Sequence, residues 1–210
     1  YAAKSSGGVD DLDLNLSDFV SRVNADIVGK FVNLASRCAG FIEKRFDGRL
    51  AAALPDVATY TRFVDALAAV REAYERNEPA TVLRLAMALA DEANRYIDER
   101  KPWVLAKQDG ADTELQAVCT QGLNLFRVLA GALSPVLPEM ARRIEEFLDA
   151  PLASWRALDA PLLGHRIKPY LPLFTRIDPK QIEAMTEASK EDLKPSVVAG
   201  APSAAAPTSV

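Results

Sequence analysis

One histidine and two cysteines in 210 residues exclude most metal and thiol chemistry before any motif is sought. Cys38, Cys119 and His165 lie far apart, so they build neither a tetrahedral zinc site nor a disulfide framework, and a di-iron bundle would need two Glu-x-x-His motifs. No metal is expected, and the thiols are expected to be reduced and buried. An excess of basic charge is also lacking: 25 Lys and Arg stand against 29 Asp and Glu, a net charge of -4. That balance excludes a protein that coats nucleic acid through bulk electrostatics, so any contact with a polyanion has to be local. Apolar runs fall well short of the roughly 20 residues of a membrane span, and no basic-then-apolar leader opens the sequence. A soluble, cytoplasmic protein with no membrane partner is expected. Runs of period two, the mark of strands, are missing as well.

What is present is helical periodicity on a 49% hydrophobic background, enough for one domain with appended segments. Residues 1–16, with Gly7-Gly8 and three aspartates, read as an irregular opening segment. From Ser17, taken as the N-cap, Phe19, Val23, Ile27, Phe31, Leu34, Cys38 and Phe41 recur at three or four, and Gly48 stops one long first helix. Pro55-Asp56 opens a second helix and Pro79 a third, which ends near Lys101 because Pro102 disfavours helical geometry in its predecessor. Gly110-Ala111-Asp112 resets the chain for a fourth helix that ends near Ser134-Pro135, and Pro138 starts a fifth. The predicted fold is all-α, an antiparallel bundle of about five helices over residues 17–149. Residues 150–193 read as a Pro-rich strap and a short final helix from Asp178-Pro179, with Trp155 and Tyr170 as strap anchors and His165 in a structural hydrogen bond. Residues 194–210 read as a disordered Pro/Ala/Ser tail or linker.

Two polar groups stand out from this scaffold. Asn33 and Arg37, four apart, share a helix face, and residues 30–49 hold five cations against two carboxylates, a net +3 inside an acidic chain. Asp91, Arg95 and Asp98 follow at helical spacing on the third helix, before Arg100, Lys101, Pro102 and Trp103 at its exit. Single-stranded RNA is read by stacking bases on aromatic rings and bonding their edges with Arg and Asn, the residue types gathered here. The plainer alternatives are a buried plug for Trp103, a solvated Arg37, and an ion-pair ladder along one helix for Asp91, Arg95 and Asp98.

Three stretches, NLASRCAGFIEKRFDG at 33–48, DEANRYIDERKPW at 91–103 and PLLGHRIKPYLPLFTRID at 161–178, resemble methionyl-tRNA synthetases in the same order. The resemblance implies the helical anticodon-binding domain of such a ligase. It implies that the CAU anticodon of methionine tRNA is read by Asn33, Arg37, Pro102 and Trp103, with Trp103 stacking on the first base. By the same resemblance Asp91 and Asp98 help to exclude wrong tRNAs. The Arg100-Lys101 pair departs from the more neutral family pattern and points to somewhat stronger phosphate attraction. The HIGH and KMSKS signatures and the cysteine-rich knuckle of the family do not occur in this sequence, which opens on YAAK without an initiator methionine. A fragment without catalytic residues is therefore expected, its catalytic half lying upstream. ATP would belong to that half; zinc there, and a homodimer partner through a later module, are left open. The alternatives are the anticodon-binding domain of another class I synthetase and a helical protein–protein scaffold, which a free anticodon stem-loop would distinguish.

Overall fold

The computed structural model describes residues 2–5, 15–152 and 154–192, so the expectations for 6–14 and for the tail at 194–210 lie outside the described residues. Residues 1–176 and 177–210 are separate units. The first unit contains α1 (Leu16–Arg22), a π-helical segment (Val23–Val32), α2 (Asn33–Phe46), α3 (Val57–Glu75), α4 (Pro79–Arg100), α5 (Pro102–Leu105), α6 (Asp112–Leu133) and α7 (Pro138–Leu148). α1, the π segment and α2 run on without interruption as the long first helix. Its cap, however, is Asn15 and not Ser17: the Asn15 Oδ1 accepts the Asp18 amide at 3.0 Å, while the Ser17 hydroxyl donates to the same oxygen. The π register in its middle is a second departure from the expected regular helix. Where it ends, Asn94 on α4 inserts its amide and donates to the Lys30 carbonyl at 3.0 Å.

Local chemistry explains the other boundaries. The Asp56 carboxylate caps α3 by accepting from the Thr59 amide and hydroxyl at 2.9 and 2.6 Å. Pro79, Pro102 and Pro138 sit in first turns, where no amide proton is needed. α2 stops at Asp47 in the left-handed region, followed by Gly48, also at positive φ. Only a glycine fits there, because a Cβ would lie 2.7 Å from the Ile167 carbonyl.

α6 is the axis of the unit, with every residue from Val118 to Leu133 buried. Leu34, Ala35, Cys38, Ala39 and Ile42 of α2 lie in the same core, and Phe31 stacks on Phe126 with centroids 4.8 Å apart. Buried polar groups require partners, and α6 carries four: Thr120, Gln121, Asn124 and Arg127. Their partners are loops. Thr120 Oγ1 accepts from the Ala51 amide, Asn124 bonds both the amide and the carbonyl of Leu162, and Arg127 donates to the Ala157 and Ala160 carbonyls at 2.7 and 2.9 Å.

Residues 155–162 of the expected strap are therefore bound along α6, and His165 and Tyr170 against α7. Trp155 Nε1 donates to the Gly131 carbonyl at 3.0 Å, His165 Nε2 donates to Leu148 at 2.7 Å, and the Tyr170 ring meets Phe147 edge-on. Residues 164–167 pair with the exit of α2 through the Arg49–Arg166 bridge. The second unit contains α8 (Pro179–Asp192), opened by a capping box in which Asp178 and Gln181 exchange hydrogen bonds with the backbone. No helix among the described residues is long and apolar enough to cross a membrane.

Close approach at α6 makes a specific demand on Gly122. A Cβ there would lie 2.6 Å from Cys38 Sγ and 2.9 Å from Ile97 Cδ1, whereas one at Gly40 would meet nothing within 4 Å. Gly122→Ala is expected to destabilise the fold by about 1–3 kcal/mol through overpacking. Gly40→Ala should be neutral or gain up to about 1 kcal/mol of helix propensity. Urea unfolding of the two variants checks the difference in sign.

Candidate nucleic-acid interface

The first helix and α4 lie side by side and in parallel, with one constant offset. Lys30 Nζ pairs with the Asp91 carboxylate at 2.9 Å, Arg37 pairs with Asp98, and Arg45 donates to the Ala106 carbonyl, each pair 61 residues apart. Steps of seven and eight residues are each about two helical turns, so successive rungs stay on one face. The carboxylates thus reach across to the first helix instead of along α4. Arg95, between them, is exposed and forms no ion pair among the described residues, so the single-helix ladder does not exist.

α4 ends where Lys101 turns into the left-handed region, and Pro102 starts the single turn of α5. Pro102 and Leu105 are buried, which aims the next positions outward: Trp103 is 37% exposed and Val104 is exposed too. The plug reading of Trp103 is therefore wrong. Its ring lies beneath the Arg37 guanidinium, 4.7 Å from Cζ to the centroid. Arg37 has only 20% of its side chain exposed, held between the indole and Asp98, which is 61% exposed. Asn33 stands one turn earlier on the helix, half-buried, with no side-chain hydrogen bond among the described residues.

All six candidate residues thus gather at one helix pair, with Arg37 in direct contact with both Trp103 and Asp98. The surrounding cations divide. Arg49 donates to the Gly164 carbonyl and Arg166 pairs with Asp47, whereas Lys44 and Lys101 are exposed. Arg100 lies over the Tyr96 ring, whose phenol burial pushes up to about 12 and so keeps neutral. Sequence reasoning missed three contributors: Asn94, which fixes the end of the π segment, and the Arg45–Asp112 pair at 2.7 Å. Spacing carried no signal for them, since their partners sit on other helices.

The core beside the interface offers no nucleophile. Cys38 and Cys119 are buried, and a hydrogen bond with Cys38, together with burial, pushes the Cys119 thiol up, away from the reactive thiolate. Among the described residues no group of three His, Cys, Asp or Glu side chains could hold a metal ion.

A family model described as the anticodon binding domain of methionyl tRNA ligase matches residues 49–190. The chain belongs to that family. It is 70% identical over 204 residues to the methionine–tRNA ligase of Stenotrophomonas maltophilia (strain R551-3), covering 97% of the chain and 29% of that protein. It is also 70% identical over 193 residues to the ligase of Xanthomonas campestris pv. campestris (strain B100), covering 92% of the chain and 28% of that protein. The chain thus spans less than a third of these relatives. Among solved structures, the free state of Mycobacterium tuberculosis methionyl-tRNA synthetase superposes with a TM-score of 0.74 at 25% identity, over 79% of this chain and 35% of that one. The same enzyme in complex with methionyl-adenylate gives 0.72 at 25% identity. Asn33 and Arg37 precede the family-model match but lie within the span shared with the Stenotrophomonas ligase.

The rungs hold side chains in place more than they stabilise the fold. Lys30 and Asp91 are both well exposed, so a double-mutant cycle on this pair is expected to give a coupling of about 0.2–1 kcal/mol that shrinks at high salt. Thermal unfolding of the Lys30→Met, Asp91→Asn and double variants at two salt concentrations measures it.

Proposed function

We propose that this chain is the anticodon-reading part of a methionine–tRNA ligase and binds the CAU anticodon of methionine tRNA through Asn33, Arg37, Pro102 and Trp103. The observation that supports this best is an exposed indole at a proline-fixed helix exit, covered by an arginine that also holds an exchangeable carboxylate. An indole face accepts any base, while Arg and Asn supply donors and acceptors for base edges. In this reading the first anticodon base takes the place of the Arg37 guanidinium on the Trp103 ring. Arg37 turns from Asp98 to a base edge, and Asn33 bonds a neighbouring base. The affinity stays local and modest, as the acidic net charge requires.

Activation of methionine with ATP, and its attachment to tRNA, fall to a catalytic half on the same polypeptide, in keeping with the small share of the relatives that the chain spans. The structure of the Mycobacterium enzyme with methionyl-adenylate shows the product of such activation in that protein. Asp91 and Asp98 complete the reading by exclusion. A loop that does not stack on Trp103 brings its phosphates near two carboxylates whose repulsion reaches about 8–10 Å at physiological salt. A cognate loop keeps its backbone clear of them.

Trp103→Ala is expected to weaken binding of a CAU stem-loop by about 1–3 kcal/mol, the worth of one base–aromatic stack. Arg37→Ala and Asn33→Ala should instead erode discrimination between CAU and loops altered at one base, because unpaired base edges are what reject a wrong nucleotide. Equal losses on every anticodon, in binding assays with the stem-loop series, would contradict base reading. For Asp91→Asn and Asp98→Asn, affinity for non-cognate loops should rise, and rise more at low salt than at high. No rise, or the same rise at both salts, reduces these residues to scaffold.

A further inference from the structure

Trp103 rides on a short excursion between α4 and α6, bounded by two left-handed residues, Lys101 at φ 48° and Gly110 at φ 77°. Burial fixes only Pro102 and Leu105 of α5; the residues from Lys107 to Gly110 are exposed. One side chain ties the middle of this excursion to the helix that follows it. From the last turn of α2, Arg45 donates through Nη2 to the Ala106 carbonyl, just past α5, and through Nη1 to Asp112 Oδ1 at 2.7 Å, the first residue of α6. Arg45 sits eight residues beyond Arg37, or about 12 Å along the same helix, so the helix that presents Arg37 and Asn33 also holds the turn that presents Trp103.

We propose that Arg45 is a positioning residue for anticodon binding: its fork to Ala106 and Asp112 sets the distance and tilt of the Trp103 indole relative to Arg37 and Asn33. The inference rests on the anticodon-reading function proposed above. Three features carry it. The guanidinium makes two hydrogen bonds in one plane, which a lysine ammonium does not reproduce with the same geometry. One partner, Ala106, lies in the segment that bears the stacking platform, and the other, Asp112, opens α6 just past its end. The remaining backbone hydrogen bonds of residues 104–108 are turns within the segment itself, so without Arg45 the outer part of the excursion has no other polar tie to the first helix among the described residues. A platform that must meet one base while Arg37 and Asn33 meet others loses affinity when it wanders, though no RNA-touching group has been removed.

A role as a simple phosphate contact makes a different forecast. Deleting Asp112 removes a negative charge and would then strengthen RNA binding, whereas loss of the fork weakens it. The test uses the 210-residue chain labelled with 5-fluorotryptophan, whose two tryptophans give two fluorine resonances, assigned with Trp103→Phe. Arg45→Ala is expected to shift or broaden the Trp103 resonance, leave that of Trp155 in place, and weaken a CAU stem-loop about tenfold, on the scale of one stack. Asp112→Ala should do the same to a smaller extent, about threefold, and Arg45→Lys should fall between wild type and Arg45→Ala. If Arg45→Ala does not fold, the other two variants carry the same test. An unchanged Trp103 resonance in these variants, unchanged affinity, or tighter RNA binding by Asp112→Ala overturns the proposal. Should the wild-type chain itself fail to bind the stem-loop, the anticodon-reading function falls, and the Trp103 resonance in the RNA-free protein still decides whether Arg45 positions that ring.

Discussion

The burial of α6 from Val118 to Leu133 constrains everything else in this unit. A helix wrapped on all sides leaves its polar side chains no water, so Thr120, Gln121, Asn124 and Arg127 must find partners in the protein. Most of their polar atoms find them in the 51–56 loop and the 157–162 strap, Gln121 Nε2 and Arg127 Nε excepted, and this binds irregular chain tightly to the bundle. The Arg127 guanidinium, with two carbonyls as acceptors, is the strongest case, since an unpaired buried charge would cost several kcal/mol. Close packing follows from the same demand: Gly122 lets Cys38 and Ile97 approach, which brings α2 and α4 together over the axis.

That convergence produces the interface. With the first helix and α4 parallel and in fixed register, cations of one face carboxylates of the other at two levels, and the third level is Arg45 on the turn beyond α4. The interface is preorganised yet exchangeable. Each rung is exposed enough to yield to a polyanion, and Arg37 covers the indole in the absence of RNA, shielding an aromatic face that would otherwise be an apolar patch. In the proposed reading, a net acidic domain binds RNA at one helix pair without attracting it elsewhere.

Features written in local covalent chemistry were legible in the sequence. Pro79, Pro138, Asp56 and Asp178-Pro179 mark their helices because a missing amide proton or a capping carboxylate acts within one turn. The strap anchors Trp155 and Tyr170, and the structural hydrogen bond of His165, were legible because amphipathic rings in a Pro-rich segment need both a packing surface and a partner. Features that depend on a second helix were not. The π segment is matched to Asn94 of α4, Asp91 and Asp98 find their cations on the first helix and not on Arg95, and Arg45 meets Asp112 across 67 residues. Even the cap moved from Ser17 to Asn15, because only three-dimensional geometry shows which oxygen meets the Asp18 amide. Asn33, Arg37 and Trp103 came from residue type and from resemblance, and the structure gathers them; spacing alone would not have joined positions so far apart in the chain.

The most direct test of this account is the structure of the chain bound to a stem-loop carrying CAU. The account predicts the first anticodon base stacked on the Trp103 indole, in the position that the Arg37 guanidinium occupies without RNA, with Arg37 turned from Asp98 to a base edge and Asn33 bonded to a neighbouring base. A loop bound elsewhere on the bundle, with Arg37 still over the indole and paired to Asp98, would contradict it.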